Sequence, residues 1–475
     1  IGVNYMIVSF SQQQQVRLRT FLMQSYQSLP YTEYLCRNSS EYIFSIQGLT
    51  SQFSGTVVMV LLKLISEGIV TLMILVFLAI TNGPALLLLI SMLAIVVLSY
   101  DRIFQKKLKI YGAKSNLANT SVLQAIQEGM EGLKEIRILG KENYFYLKVR
   151  EGSEQSAIYG IRQAIIALMP RYLMELVIVL FVVLLVMSML SFQLDLKLLL
   201  PTLGIFGVAS LRLLPASNML ISSFVQMRFA RNSVSRLFQD IKNLKYQDSK
   251  KQNISSHYCE DTFESLKIDN ISFRYPNAKT KAINSVSFEI HSGESIGIIG
   301  SSGSGKTTLI DVLLALLKPQ EGKILYNNEL LSEKENNWRS QVAYLPQQVF
   351  LIDNSLKHNV ALGDDESSVN EKRLTAALKQ ARLFELVAQL PQGVDTLLGE
   401  RGIRLSGGQR QRVALARALY HGRNVLVMDE ATSALDNETE REIVNEIESL
   451  KGEVTMIVIA HRLTTLQHCD KIYEL

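Results

Sequence analysis

Cysteine is scarce. The chain has three in 475 residues, Cys36, Cys259 and Cys469, far apart and none in a Cys-x-x-Cys pair. An odd, scattered set excludes a disulfide framework and a zinc site and fits free thiols in a reducing compartment. Strong charge is also missing. Lys and Arg number 49 against 44 Asp and Glu, a net +5, which gives no reason to expect a nucleic-acid partner. Charged residues are only 20% of the chain while apolar ones are 48%, and mean hydropathy is +0.15. That is high for a cytosolic enzyme, and the length calls for two or more domains. The opening Ile1-Gly-Val-Asn-Tyr-Met-Ile-Val lacks the basic head of a signal peptide and reads as the end of an apolar helix. The chain stops at Leu475 inside an expected strand, so both ends are expected to be cut from a longer polypeptide.

The apolar residues are clustered in four stretches, roughly 56–80, 84–100, 172–192 and 198–227. Leu176 to Leu190 holds only apolar residues and one Ser. A bilayer core asks for about 20 apolar residues in a helix, and buried soluble helices are rarely apolar on all sides. Membrane spans are therefore expected. Between the second and third stretches lie Arg102, Lys106, Lys107, Lys109, Lys114, Lys134, Arg137, Lys141, Lys148, Arg150, Arg162 and Arg171. The connection Thr81-Asn82-Gly83 is uncharged and the one near Asp195 and Lys197 almost so, which places the basic segment in the cytoplasm and the short turns outside. Apolar residues at helical spacing (Val122, Ile126, Met130, Leu133) predict helices that run on past the bilayer. Residues 11–55, broken at Pro30, look alike, so each segment is expected to be a helical hairpin ending in a short crosswise helix. The membrane domain is assigned to 1–236 and a polar linker to 237–263.

From 264 to 475 the pattern becomes alternating strands and helices, an α/β domain. A strand, Ser295 to Gly300, feeds Gly300-Ser301-Ser302-Gly303-Ser304-Gly305-Lys306-Thr307-Thr308, and a helix follows. This is the phosphate loop G-x-x-x-x-G-K-[ST] in its strand–loop–helix setting. Glycines let successive N–H groups point at phosphate oxygens, and the helix N-terminus adds partial positive charge. Lys306 is expected to reach the terminal phosphates and the Thr307 hydroxyl to ligate Mg²⁺. A second apolar strand, Val425 to Met428, ends in Asp429 and Glu430, which fit a water-mediated Mg²⁺ ligand and the group that polarises the attacking water. Between them Leu405-Ser406-Gly407-Gly408-Gln409 opens a helix, a second anion site that one nucleotide does not need and a neighbouring chain's nucleotide does.

With these residues in place the sequence resembles the ABC exporters, a helical membrane domain followed by a P-loop ATPase domain. Ser406, Gly407, Gly408 and Gln409 lie in the ABC signature. The resemblance implies that Tyr275, in Phe-Arg-Tyr-Pro, stacks on adenine. It also implies that Gln347, rather than Gln348, senses Mg²⁺ and the membrane domain. Asp436, in Ser433-Ala434-Leu435-Asp436, resembles the loop crossing a dimer seam, and His461 the contact to the γ-phosphate. Glu400-Arg401-Gly402 resembles an element that touches the membrane domain. Six spans per subunit are implied; four and a stub at 1–20 are present. ATP and Mg²⁺ are the implied cofactors, and a second half-transporter subunit, most simply a copy of this chain, the implied partner. The implied location is a bacterial plasma membrane with the ATPase domain in the cytoplasm.

Three further stretches, Pro30-Tyr31 with Arg37-Asn38-Ser39-Ser40-Glu41, Lys134 to Asn143, and Leu211-Arg212-Leu-Leu-Pro215, are similar to PglK-type flippases of lipid-linked oligosaccharides. Multidrug, peptide and general lipid exporters are the alternatives. Arg212 either binds an anionic head group or pairs with a neighbouring helix.

Overall fold

The computed structural model describes the chain except residues 1, 192–195, 252–261, 277, 431–450 and 460–465, and also leaves aside the side chains of 188–191, 196–200, 202, 203 and 245–251. It divides into two compact units: Ile1–Leu29 with Glu33–Lys251, and Pro30–Thr32 with Gln252–Leu475.

The first unit is helical: α1 (Gly2–Gln27), α3 (Ser39–Phe44), α4 (Thr50–Gln52), α5 (Met59–Glu131), α6 (Leu133–Leu139), α7 (Glu142–Ser191) and α8 (Leu196–Lys251), while the short helix α2 (Tyr31–Tyr34) is divided between the two units after Thr32. π-helical turns at Ser45–Leu49 and Phe53–Val58 flank α4. The two short helices α2 and α6 fall where the sequence predicts the tips of hairpins. Among the described residues three helices, Ser39–Glu131, Glu142–Met187 and Gly204–Leu244, are long and apolar enough to cross a membrane.

The four expected stretches fall on these three helices because 56–80 and 84–100 share one. Within it Asn82 leaves the helical region (φ −156°, ψ 86°). Its Oδ1 accepts from the Ala85 N–H at 3.2 Å, the bond an N-cap makes to a new helix, with Pro84 seated in the first turn where its missing N–H costs nothing. Leu78 on one side of Asn82 and Leu86 and Leu89 on the other are buried in a single cluster with Phe181, Leu185 and Phe206.

Polar groups hold the helices to one another. Pro170 in α7 has no N–H for the carbonyl of Ile166, and the buried Tyr100 hydroxyl donates to that carbonyl instead. Asn116 Nδ2 donates to Asn232 Oδ1 (3.0 Å) and Ser233 Oγ (2.7 Å), and Arg228 binds Asp101 through both Nε (3.1 Å) and Nη2 (2.9 Å). At Gly112 a Cβ would lie 1.9 Å from the Phe229 carbonyl oxygen, so α5 and α8 touch backbone to backbone there. Asp240 is buried and accepts from Tyr26 Oη (2.9 Å), Arg37 Nη1 (3.1 Å) and Ser45 Oγ (3.3 Å). The polar composition after 237 predicts a linker, but α8 runs on to Lys251, with Leu237 and Leu244 buried seven residues apart on one face.

The second unit contains two sheets. Strands β1 (Ser265–Phe273), β2 (Ile283–His291), β4 (Glu321–Tyr326) and β5 (Glu329–Leu330) form an antiparallel sheet in the order β2-β1-β4-β5. Strands β3 (Ser295–Ile299), β6 (Val342–Leu345), β7 (Val425–Asp429), β8 (Thr455–Ile459) and β9 (Lys471–Glu474) form the second, in the order β6-β7-β8-β3-β9. All its pairs are parallel. β7 and β8 are buried at every position, as a sheet covered on both faces requires. The helices are α9 (Lys306–Leu313), α10 (Glu335–Gln341), α11 (Leu356–Val360), α12 (Glu371–Gln380), α13 (Phe384–Gln389) and α14 (Gly407–Tyr420).

Candidate active site

In a parallel sheet ligands collect beyond the C-terminal ends of the strands, and register puts three of those ends level. Ile459 of β8 pairs with Ile298 of β3 on one side and with Asp429 of β7 on the other, and Met428 pairs with Leu345 of β6. The Gly300–Thr308 loop, the Asp429–Glu430 pair and the segment bearing Gln347 therefore leave the sheet at the same end, with β8 between the first two.

The loop wraps the N-terminus of α9. Gly305 has φ 100°, and a Cβ there would sit 2.1 Å from the Ala282 carbonyl oxygen, so both conformation and space demand glycine. Lys306 is buried, and its Nζ donates to the carbonyls of Gly300 and Ser301, each at 2.9 Å, which holds the ammonium inside the loop. Thr307 is exposed and Thr308 buried; the Thr308 hydroxyl lies 3.3 Å from the Tyr275 hydroxyl, which brings Tyr275 to the same helix start. The Tyr275 ring packs edge-on against Phe273 at 5.1 Å.

Gln347 Nε2 donates to Glu430 Oε2 at 3.0 Å. Glu430 has φ 47°, a left-handed conformation that a glutamate rarely adopts, and its N–H donates to the Ile459 carbonyl. Asp429 is buried and accepts from Tyr344 Oη at 3.4 Å. Burial first, and then the Glu430 carboxylate, hold Asp429 above the ordinary aspartate range, against the Tyr344 bond and the Lys306 charge. Asp311 on α9 is pushed up to about 6, by burial and then by Asp429. Burial and Asp429 likewise push the Tyr344 hydroxyl up. Carboxylates crowded this way are stabilised by a nearby cation.

Ser406 and Gln409 form a capping box: Ser406 Oγ accepts from the Gln409 N–H (3.2 Å) and Gln409 Oε1 from the Ser406 N–H (2.8 Å). Gly407 and Gly408 are the first residues of α14, so this N-terminus presents backbone N–H groups with little side chain in the way. Glu400–Gly402 is a 3₁₀ turn with Arg401 at φ 53°. Asp436 and His461 lie outside the described residues. The sequence reading missed Tyr344 and Asp311. The pointer to Asp311 was a carboxylate within the apolar helix that follows the phosphate loop; for Tyr344 it was a hydroxyl on the strand leading to Gln347.

Residues 283–433 match the family described as "ABC transporter". The chain also resembles a solved structure described as "Structure of a bacterial Atm1-family ABC exporter with ATP bound". The TM-score is 0.84 and the identity 23%, over 99% of this chain and 82% of that one. The class follows: the fold is that of an ABC exporter subunit, a helical membrane domain followed by an ATP-binding ABC domain, and the chain is an ATP-hydrolysing transporter.

Among curated relatives, an "ATP-dependent lipid A-core flippase" of Ralstonia nicotianae is 28% identical over 100% of this chain and 79% of its own length. A protein of the same description from Alkalilimnicola ehrlichii is 42% identical over 44% of this chain, and the match spans 36% of its length.

Proposed function

We propose that this chain is one subunit of an ATP-driven flippase that moves a phosphate-bearing, glycan-carrying lipid from the cytoplasmic leaflet outward. The observation that carries the ATPase half of this reading is the Gln347–Glu430 bond at the edge of β7, level with the Gly300–Thr308 loop. Glu430 orients and polarises the attacking water; Gln347 holds Glu430 and reports on the nucleotide. Lys306 offsets charge on the terminal phosphates, and Tyr275 stacks on adenine. His461 and Asp436 take their motif roles at the γ-phosphate and the seam between two copies. The same residues fit Mg²⁺. Among the described residues no cluster of three or more His, Cys, Asp and Glu could hold an ion. Mg²⁺ asks for less: one or two carboxylates, a hydroxyl and the phosphates themselves. Thr307, Asp429 and Gln347 supply that set, and the crowding of Asp429 by Glu430, and of Asp311 by Asp429, favours a cation there. When bound, Mg²⁺ offsets charge on the β- and γ-phosphates.

One chain has one phosphate loop and one signature. Two copies meeting head to tail complete two sites, with Ser406 to Gln409 of each over the other's ATP. Crosslinking in membranes tests this, and monomers alone would count against it. We take 1–236 as the membrane domain, 237–263 as the connection and 264–475 as the ATPase domain, seated in a bacterial inner membrane.

For the cargo, the relatives' lipid A-core description and the PglK-like stretches share a chemistry: phosphate and sugar on a lipid. Arg212 is exposed on α8 within an apolar helix, and its fork suits a phosphate. The test is flipping in proteoliposomes, with a lipid-linked oligosaccharide pyrophosphate and lipid A-core offered separately and Glu430→Gln as control. Flipping of one or both that the control abolishes supports the reading. Flipping at parental speed by Glu430→Gln overturns the catalytic assignment, and ATPase stimulation by a cationic drug alone overturns the cargo.

A further inference from the structure

The segment after Gln347 is gripped by two side chains that hydrolysis does not account for. Asn359, fully buried in α11, donates Nδ2 to the carbonyls of Ile352 (3.0 Å), Asn354 (3.4 Å) and Ser355 (3.1 Å), and its Oδ1 accepts from the Ile352 N–H (3.0 Å). Arg417, near the C-terminal end of α14, donates Nε to the Asn359 carbonyl (2.9 Å) and Nη2 to the Phe350 carbonyl (3.1 Å). Leu351 between them is buried, and a Cβ at Gly402 would lie 2.4 Å from its Cδ1, so the loop is also wedged against the 399–402 turn.

The choice of arginine is costly. Partial burial holds its guanidinium below the ordinary value, and both bonds go to neutral carbonyls. Even partly burying a cation for such acceptors is unfavourable unless geometry is what is needed. A planar fork supplies two donors at fixed separation, where a lysine ammonium could satisfy one carbonyl well.

We propose that Arg417 is a positioning residue for Gln347. Through the Phe350 and Asn359 carbonyls it fastens the 347–355 loop to α14 and so keeps the Gln347 amide on Glu430. Ser406 lies eleven residues before Arg417 on the same helix, about 16 Å away. The loop that senses this chain's nucleotide and the signature that serves the other copy's nucleotide therefore move as one piece. The inference rests on the ATPase reading of the site.

Initial rates of Mg-ATP hydrolysis are measured on the full chain in lipid nanodiscs for Arg417→Met, Arg417→Lys, Gln347→Ala, the Gln347→Ala/Arg417→Met double variant and Glu430→Gln, each with a melting curve. Arg417→Met is expected to lower kcat about tenfold with KM changed less than about twofold, and Arg417→Lys to fall between it and the parent. The double variant is expected to be no slower than Gln347→Ala, because two changes acting through one bond do not add. Losses that multiply overturn the proposal, as does parental kcat in Arg417→Met. Where Arg417→Met does not fold, the same cycle with Arg417→Lys decides in the same way. Parental activity in Glu430→Gln overturns the ATPase reading itself; loss there beside parental activity in Arg417→Met overturns only the role of Arg417.

Discussion

The two units use opposite means of holding together. In the ATPase unit the apolar residues are inside: Trp338, Leu266, Val427 and Ile457 are fully buried. In the helical unit large apolar residues face outward, Leu176 at 66% exposure and Val179 at 64%, while Ser11, Ser54, Asn116, Ser233 and Asp240 are buried. A sheet in water is held by the hydrophobic effect. Helices in lipid gain nothing by hiding leucine, so close packing and hydrogen bonds between helices take over. Polar residues are thus the glue of one unit and the chemistry of the other.

That contrast can be broken in five places. Trp338→Ala, which empties the core and loses the bond to the Leu313 carbonyl, is expected to cost the ATPase unit about 3–5 kcal/mol in denaturant unfolding. A cost under about 1 kcal/mol would show that this core does not carry the unit. Asp240→Ala is expected to cost about 2–3 kcal/mol in a detergent melt, less than a fully buried pair because Arg37 is partly exposed. Leu176→Ala in the same assay should cost under about 0.5 kcal/mol, and the reverse order would undo the comparison. Tyr100→Phe frees the Ile166 carbonyl and should cost about 1 kcal/mol. The smallest effect is a slope. His421 lies below its ordinary value, through burial first and then Arg423. The unfolded chain therefore binds the proton more readily, so the ATPase unit should lose stability as pH falls through the unfolded value near 6.5, with no such loss above it. His421→Gln should flatten that stretch of a melting-temperature profile; an unchanged slope would show that the titration belongs elsewhere.

The same contrast explains what could be read from sequence. The phosphate loop, the signature and the strand ending in Asp429 and Glu430 are local: a few consecutive residues carry both conformation and chemistry. Helices long enough to span are legible for the same reason, since composition alone marks them. Contacts made across the fold are not. Nothing near Pro170 announces that Tyr100 will cap the carbonyl it leaves open, and nothing near Arg37 announces Asp240, 203 positions on. Asn82 is intermediate: Asn-Gly-Pro reads as a turn, but its job as the cap of the next helix needs the Ala85 bond to be seen. Arg417 looks like one more cation on the helix after the signature until its two carbonyls are in view.

Because Ile298, Ile459 and Asp429 stand level across three strands, the edge that carries the proposed catalytic residues is set by strand length. Deleting one residue from Val425–Met428 would draw Asp429 back by about 3.3 Å and turn its carboxylate to the opposite face of the sheet. Insertions in the turn between β4 and β5 leave that edge where it is. Change in this domain is therefore tolerated according to how far it lies from one line of residues, and indels there are as damaging as loss of the carboxylates themselves.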